Sequence, residues 1–131
     1  MTVSLSQIVL RLAATALLLA SGSPAFAASV PSGGDAFLTR FRAAVAHPDA
    51  AALADLTRFP FLFDGKTHDR AAFTARVVPR LFTPAVRKRL IHAKPQSEEG
   101  RLVLWCKPYG FYLRVADGQW RLIEFAADGE P

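Results

Sequence analysis

Residues 101–126 read RLVLWCKPYGFYLRVADGQWRLIEFA, and this run decides the fold. Three stretches rich in β-branched, aromatic and aliphatic residues are separated by two turn signals, Lys107-Pro108-Tyr109-Gly110 and Asp117-Gly118. The spacing predicts a three-stranded antiparallel meander. Asp-Gly is the two-residue type I′ signal, so Ala116 should lie opposite Gln119, Leu113 opposite Leu122 and Arg114 opposite Arg121. The first turn reads as type I closed by a left-handed Gly110, which sets Lys107 opposite Phe111 and Trp105 opposite Leu113. Alternation of side chains then assigns the faces. One face should carry Val103, Trp105, Phe111, Leu113, Val115, Trp120 and Leu122. The other should carry Leu102, Leu104, Cys106, Tyr112, Ile123 and Phe125 with Arg114 and Arg121. Helices are expected to cover the first face. The second is too apolar to be freely solvated, which implies a partner or a second layer.

Outward from the meander, the rest of the chain supplies that cover. The N-terminus, with Arg11 before an apolar run from Leu12 to Ala20 and then Ala25-Phe26-Ala27, has the order of a secretory signal peptide. Cleavage is expected between Ala27 and Ala28, giving a periplasmic or secreted protein. The apolar run is shorter than the ~20 residues of a membrane span, so no membrane anchor should remain after cleavage. Residues 28–34 read as a flexible linker, 35–126 as one α+β domain and 127–131 as a tail. A domain of this size needs a dense core, and nine of the chain's ten Phe, all but Phe26, supply it. The single cysteine, Cys106, excludes an intramolecular disulfide and reads as a buried apolar thiol.

Asp35 is expected to cap a first helix carrying Phe37, Leu38, Phe41 and Val45 at helical spacing. His47-Pro48 should end it, and Asp49 should cap a short second helix through Leu53 and Leu56. RFPFLFDG, residues 58–65, reads as a short edge strand ending in a turn. Asp69 opens a third helix along Phe73, Val77 and Leu81, which Pro79 should kink or break. Thr83-Pro84 starts a fourth helix with Val86 and Leu90 facing inward. AKPQSEEG, residues 93–100, lacks periodicity and reads as a loop.

The fold class is therefore α+β, with N-terminal helices packed on one face of a curved antiparallel sheet that ends in a three-stranded meander. The start Phe37, Phe41, Ala44, Val45, the segment ALADLTRFPF and the closing DGQWRLIEF resemble small exported bacterial proteins of the nuclear-transport-factor-2-like superfamily. That resemblance implies a cone of helices around a curved, cystatin-type sheet, a conical ligand cavity, and a homodimer through the sheet's outer face. Its enzymes, the ketosteroid isomerases and scytalone dehydratase-like members, place Asp, His or Tyr in the cavity. No such set matches residue by residue here. The chain also has a short loop and a single first strand where relatives have a longer strand pair.

Candidate chemistry is sparse. Glu124 falls opposite Phe111 on the more apolar face, where a carboxylate would be desolvated and suited to general acid/base work. A bulge that turned it outward would remove that role. Asp55 is the second candidate acid, although a helix acid normally faces solvent. Arg114 and Arg121, directly opposed, either hold an anion between them or fan into water. With Trp105, Trp120 and Tyr112 they complete the candidate ligand-binding set. His47, His68 and His92 lack metal-ligand spacing, and no metal or cofactor is expected. The net charge of +5 and the cations Lys66, Arg70, Arg76, Arg80, Arg87, Lys88 and Arg89 resemble a nucleic-acid patch. Export and their spread over several helical faces argue against that partner. Three readings stand. The first is a non-catalytic module for a small ligand or a protein partner, forming a homodimer. The second is a cavity enzyme of isomerase or dehydratase type using a buried carboxylate. The third is a structural or inhibitory protein working through the Arg114/Arg121 face.

Overall fold

The computed structural model of the chain describes residues 30–127. Residues 1–27, read above as a signal peptide, the start of the expected linker and the end of the tail lie outside the described residues. The element order is α1 (Gly34–Ala46), α2 (Ala50–Asp55), β1 (Phe61–Phe63), β2 (Lys66–His68), α3 (Arg70–Ala72), a π-helical turn (Phe73–Val77), α4 (Val78–Leu81), α5 (Pro84–Leu90), then β3 (Pro95–Glu98), β4 (Arg101–Cys106), β5 (Tyr109–Ala116) and β6 (Gln119–Ala127). Strands β3-β4-β5-β6 form one antiparallel sheet in that order, and β1-β2 form a separate hairpin. The class is α+β with the helices on one sheet face, as the sequence implies.

Helix starts follow local chemistry. Asp49, Asp69 and Thr83 each accept a hydrogen bond from the backbone N–H three residues on, at 3.1, 2.8 and 3.3 Å, satisfying donors the helix leaves free. The first helix begins two residues earlier than expected. Gly33, at φ 96°, precedes it, and Asp35 lies in its first turn rather than at the cap. Gly34 is closely packed: a Cβ there would meet Leu102 Cδ1 at 3.2 Å and Trp120 Cζ2 at 3.3 Å, so both side chains would have to give slightly. His47 turns extended before Pro48, as expected. Pro79 does not break its helix. The turn before it widens, the Val78 N–H bonding the Phe73 carbonyl five residues back. This gives the pyrrolidine ring room at the cost of regular α geometry.

Two sequence readings are corrected in the sheet. Residues 95–98 are not loop but strand β3, paired with β4 from Pro95↔Leu104 to Glu98↔Arg101. Every β3 residue is exposed, so the strand leaves no apolar alternation to read. Its opening proline is tolerated because the strand is an edge. The turn into β4 is Glu99-Gly100, both at positive φ. Likewise the stretch after Asp64-Gly65 returns as β2, pairing Phe61↔His68 and Phe63↔Lys66. The chain therefore has a strand pair here, although the sequence reading allowed only one strand.

The second correction is the β4–β5 register. Cys106 pairs with Tyr109 and Trp105 with Gly110, so the turn is two residues long and Gly110 is a strand residue. Its missing side chain has a use. A Cβ at Gly110 would fall 2.6 Å from Trp105 Cζ3, because the indole occupies that space. The shift moves Leu102, Leu104 and Cys106 onto the helix-covered face and turns Val103 and Trp105 outward. The β5–β6 register agrees with expectation at its turn end: Ala116↔Gln119, Arg114↔Arg121 and Leu113↔Leu122. Beyond it, Tyr112 pairs with Glu124, leaving Ile123 as the extra residue of a β-bulge. The bulge reverses the phase of β6. Phe125 points inward opposite Phe111, and Glu124 outward.

The core lies between the helices and this inner face. Phe37, Phe41, Val45, Leu53, Phe73, Val77, Leu81 and Leu90 pack with Leu104, Phe111, Leu113 and Leu122, all essentially without solvent exposure. At roughly 1.5–3 kcal/mol for each large side chain, this one layer dominates the drive to fold. The outer edge of β6 is closed by the segment after α2. Leu122 N–H bonds the Leu56 carbonyl at 2.7 Å, and Arg58 N–H bonds the Leu122 carbonyl at 2.9 Å. Thr57, buried between them, donates its hydroxyl to the Leu53 carbonyl at 2.7 Å. An edge so covered cannot template further pairing.

Candidate functional site

The bulge at Ile123 has a second consequence. By turning Phe125 inward it places an aromatic wall at the open end of the sheet, where the β1–β2 hairpin folds across. Phe61 and Phe63 stack on Phe125 at centroid distances of 6.1 and 5.5 Å, and Tyr109 meets it edge-on at 5.7 Å. Between hairpin and sheet end lies a cleft of about 590 Å³ whose lining includes Leu62, Phe63, Asp64, Arg80, Tyr109 and Phe125. Leu62 is 56 % exposed and borders this cleft. The Arg80 guanidinium sits 5.3 Å from the Phe63 ring centroid and 3.8 Å from Asp64. The cleft thus joins an aromatic wall to an Asp64–Arg80 ion pair, the mix of apolar surface and a few polar groups expected of a small-molecule site.

The residues singled out from sequence are not gathered there. Trp120 is buried on the inner face, stacked on Phe37 at 6.3 Å, and its Nε1–H donates to the Ser32 carbonyl at 2.9 Å. It anchors the end of the linker to the core. Glu124 is exposed on the outer face and paired with Arg101 at 3.3 Å. Arg101 also reaches Glu98 at 3.1 Å and lies 4.3 Å from the Tyr112 ring centroid. The expectation of a desolvated Glu124 opposite Phe111 is overturned by the bulge. Asp55 is exposed, paired with Arg70, and borders a separate groove of about 460 Å³ between α1 and α2. Neither acid has the water-excluded surroundings that would tune it for proton transfer.

Arg114 and Arg121 are opposed as expected, with no carboxylate between them. Arg121 turns to the Gln119 side-chain oxygen and the Trp120 carbonyl. Arg114 is exposed. The outer face is less apolar than the sequence register implied. Val103 and Ile123 are buried on it, Tyr112 is partly covered by Arg101, and Trp105 meets Tyr112 edge-on at 6.2 Å. Only Trp105, at 40 %, is a large exposed hydrophobic there.

Cys106 is buried on the inner face, where its thiol contacts the Val86 carbonyl at 3.6 Å. Burial pushes the thiol above its usual range, and the nearby Arg89 charge only partly offsets this. The folded state therefore holds its proton more tightly than the unfolded chain. That contribution to stability is complete below the unfolded thiol's pKa, ordinarily near 9.0, and is lost as pH rises through the folded value. Labelling with a chromogenic disulfide at pH 8 should be at least about tenfold slower in the folded protein than in urea. Equal rates would show an accessible thiolate.

Among the described residues no group of three or more His, Cys, Asp or Glu could hold a metal ion. Nor is any described helix long and apolar enough to cross a membrane. Sequence reasoning missed the cleft because its residues come from four separate segments. One trace was legible: apolar positions 120 and 122 change phase to 123 and 125, which is what a bulge produces. No family model, curated protein or solved structure matches this chain.

Proposed function

We propose that the chain is an exported, non-catalytic binding module that takes a small apolar or amphipathic ligand in the cleft between the β1–β2 hairpin and the sheet end. The observation that carries this reading is the aromatic wall of Phe63, Tyr109 and Phe125 beside the exposed Leu62, with Arg80 adjacent. The surface is large enough for a drug-sized ligand and open to solvent. Export rests on the order of residues 1–27. Support for the nuclear-transport-factor-2-like resemblance comes from the element order and from helices packed on one face of a meander. A homodimer through the outer sheet face loses most of its apolar support, because Leu102, Leu104, Cys106 and Phe125, assigned to that face, pack into the core. The enzyme reading loses its acids, since Glu124 and Asp55 are exposed and ion-paired.

The test is a fluorescence titration with 1-anilinonaphthalene-8-sulfonate, an aromatic organic anion. Saturable one-site binding is expected, weakened at least about tenfold by Leu62→Glu, since one buried leucine contact is worth about 1.5–3 kcal/mol. Leu62 is exposed, so the urea midpoint should be unchanged. Binding indifferent to Leu62→Glu would remove the cleft as the site.

A further inference from the structure

No acid occurs between Asp69 and Glu98, a stretch that carries Arg70, Arg76, Arg80, Arg87, Lys88, Arg89 and Lys94. Arg70 and Arg80 find acids outside that stretch, Asp55 and Asp64. The cations of the later part do not, and the fold concentrates several of them around one exposed aromatic side chain. Arg89 bonds the Lys107 carbonyl, which brings the end of α5 to the β4–β5 turn. Pro95 pairs with Leu104, so Lys94, one step beyond, lies beside Trp105. Lys107 follows Trp105 by two residues, in the turn that leaves β4. Lys94, Lys107, Arg89 and Lys88 thus gather at the corner of the fold where β4 ends just after Trp105, and all four cations are exposed. No acid is ion-paired to any of them among the described residues. Gly110 gives the indole its seat, and Tyr112 supports its edge.

The geometry points to a peripheral membrane contact: this Trp105-centred patch adsorbs on an anionic phospholipid surface. The argument is charge complementarity together with the chemistry of tryptophan. Clusters of four or more lysines and arginines draw a protein to anionic lipid. An indole held at the centre of such a cluster is suited to the boundary between headgroups and acyl chains, where Trp concentrates. The contact is adsorption and not anchoring, because no element here buries enough apolar surface to insert.

The experiment is sedimentation of the exported protein with vesicles of phosphatidylglycerol and phosphatidylcholine, alongside pure phosphatidylcholine vesicles. Binding to the mixed vesicles alone is expected, falling steeply between 50 and about 300 mM salt as surface charge is screened. The double variant Lys94→Glu, Lys107→Glu should bind at least about tenfold more weakly. Both positions are exposed, and an unchanged urea midpoint would show that the fold is kept. Tryptophan emission from a Trp120→Phe protein, reporting Trp105, should shift to the blue on binding. Three outcomes would overturn the proposal. The first is equal binding by the double variant. The second is capture by a soluble polyanion such as heparin with no sedimentation on anionic vesicles. The third is a dimer in light scattering that already buries Trp105.

Discussion

Truncating Phe111 to alanine is expected to lower the unfolding free energy by about 3–5 kcal/mol. The ring has no solvent exposure and sits where three layers meet. Phe82 packs on it from the end of α4 at 5.7 Å, Phe125 from β6 at 6.3 Å and Tyr109 from its own strand at 6.4 Å. Strand and helix neighbours on several sides cannot all collapse into the space, so a cavity term adds to the lost transfer energy. Small domains have about 5–15 kcal/mol in total, so this one change removes a large share. A urea titration should move to a much lower midpoint with an unchanged slope. A loss below about 1 kcal/mol would mean that Phe111 is not at the junction of sheet and helices.

Trp120→Ala should cost a similar amount, about 3–5 kcal/mol, and should leave ligand binding in the cleft intact where the protein remains folded. The indole fills the space above Gly33 and Gly34, stacks on Phe37 and ties Ser32 to the sheet. Trp120→Phe separates the two contributions. It keeps most of the packing and removes the Nε1–H bond to an exposed segment, which should cost only about 1 kcal/mol. If Trp120→Ala instead spared stability and abolished binding, Trp120 would be a ligand contact, as its sequence context first suggested. The two substitutions also test different elements: Phe111 reports the β4–β5–β6 register, and Trp120 reports how the first helix is fastened.

How much of this was legible follows from which interactions are local. The β5–β6 register could be read because Asp117-Gly118 demands positive φ at both positions and admits one pairing. Helix starts at Asp49, Asp69 and Thr83 could be read because a cap acts on a backbone N–H three residues away. The β4–β5 register could not. Lys-Pro-Tyr-Gly satisfies a longer turn equally well, and only the indole of Trp105 lying across Gly110 shows that the glycine belongs to the strand. Strands β2 and β3 left little trace because no residue of either is fully buried. Pro79 was read correctly as incompatible with regular helix, but sequence does not say whether a helix answers by breaking or by widening. Glu124 and Phe125 exchanged faces through one bulged residue, and the cavity-enzyme reading lost its first candidate acid with them. The candidate site moved from a carboxylate inside a cone to an aromatic cleft whose walls are Leu62, Phe63, Tyr109 and Phe125.

Amide chemical-shift mapping during titration with 1-anilinonaphthalene-8-sulfonate tests that relocation most directly. The account predicts saturable shifts clustered at residues 62–65, around Arg80, at Tyr109 and at residues 125–127, with one dissociation constant fitting all of them. Shifts confined to the outer face around Tyr112, Arg114, Arg121 and Glu124, or no saturable shifts at all, would contradict it.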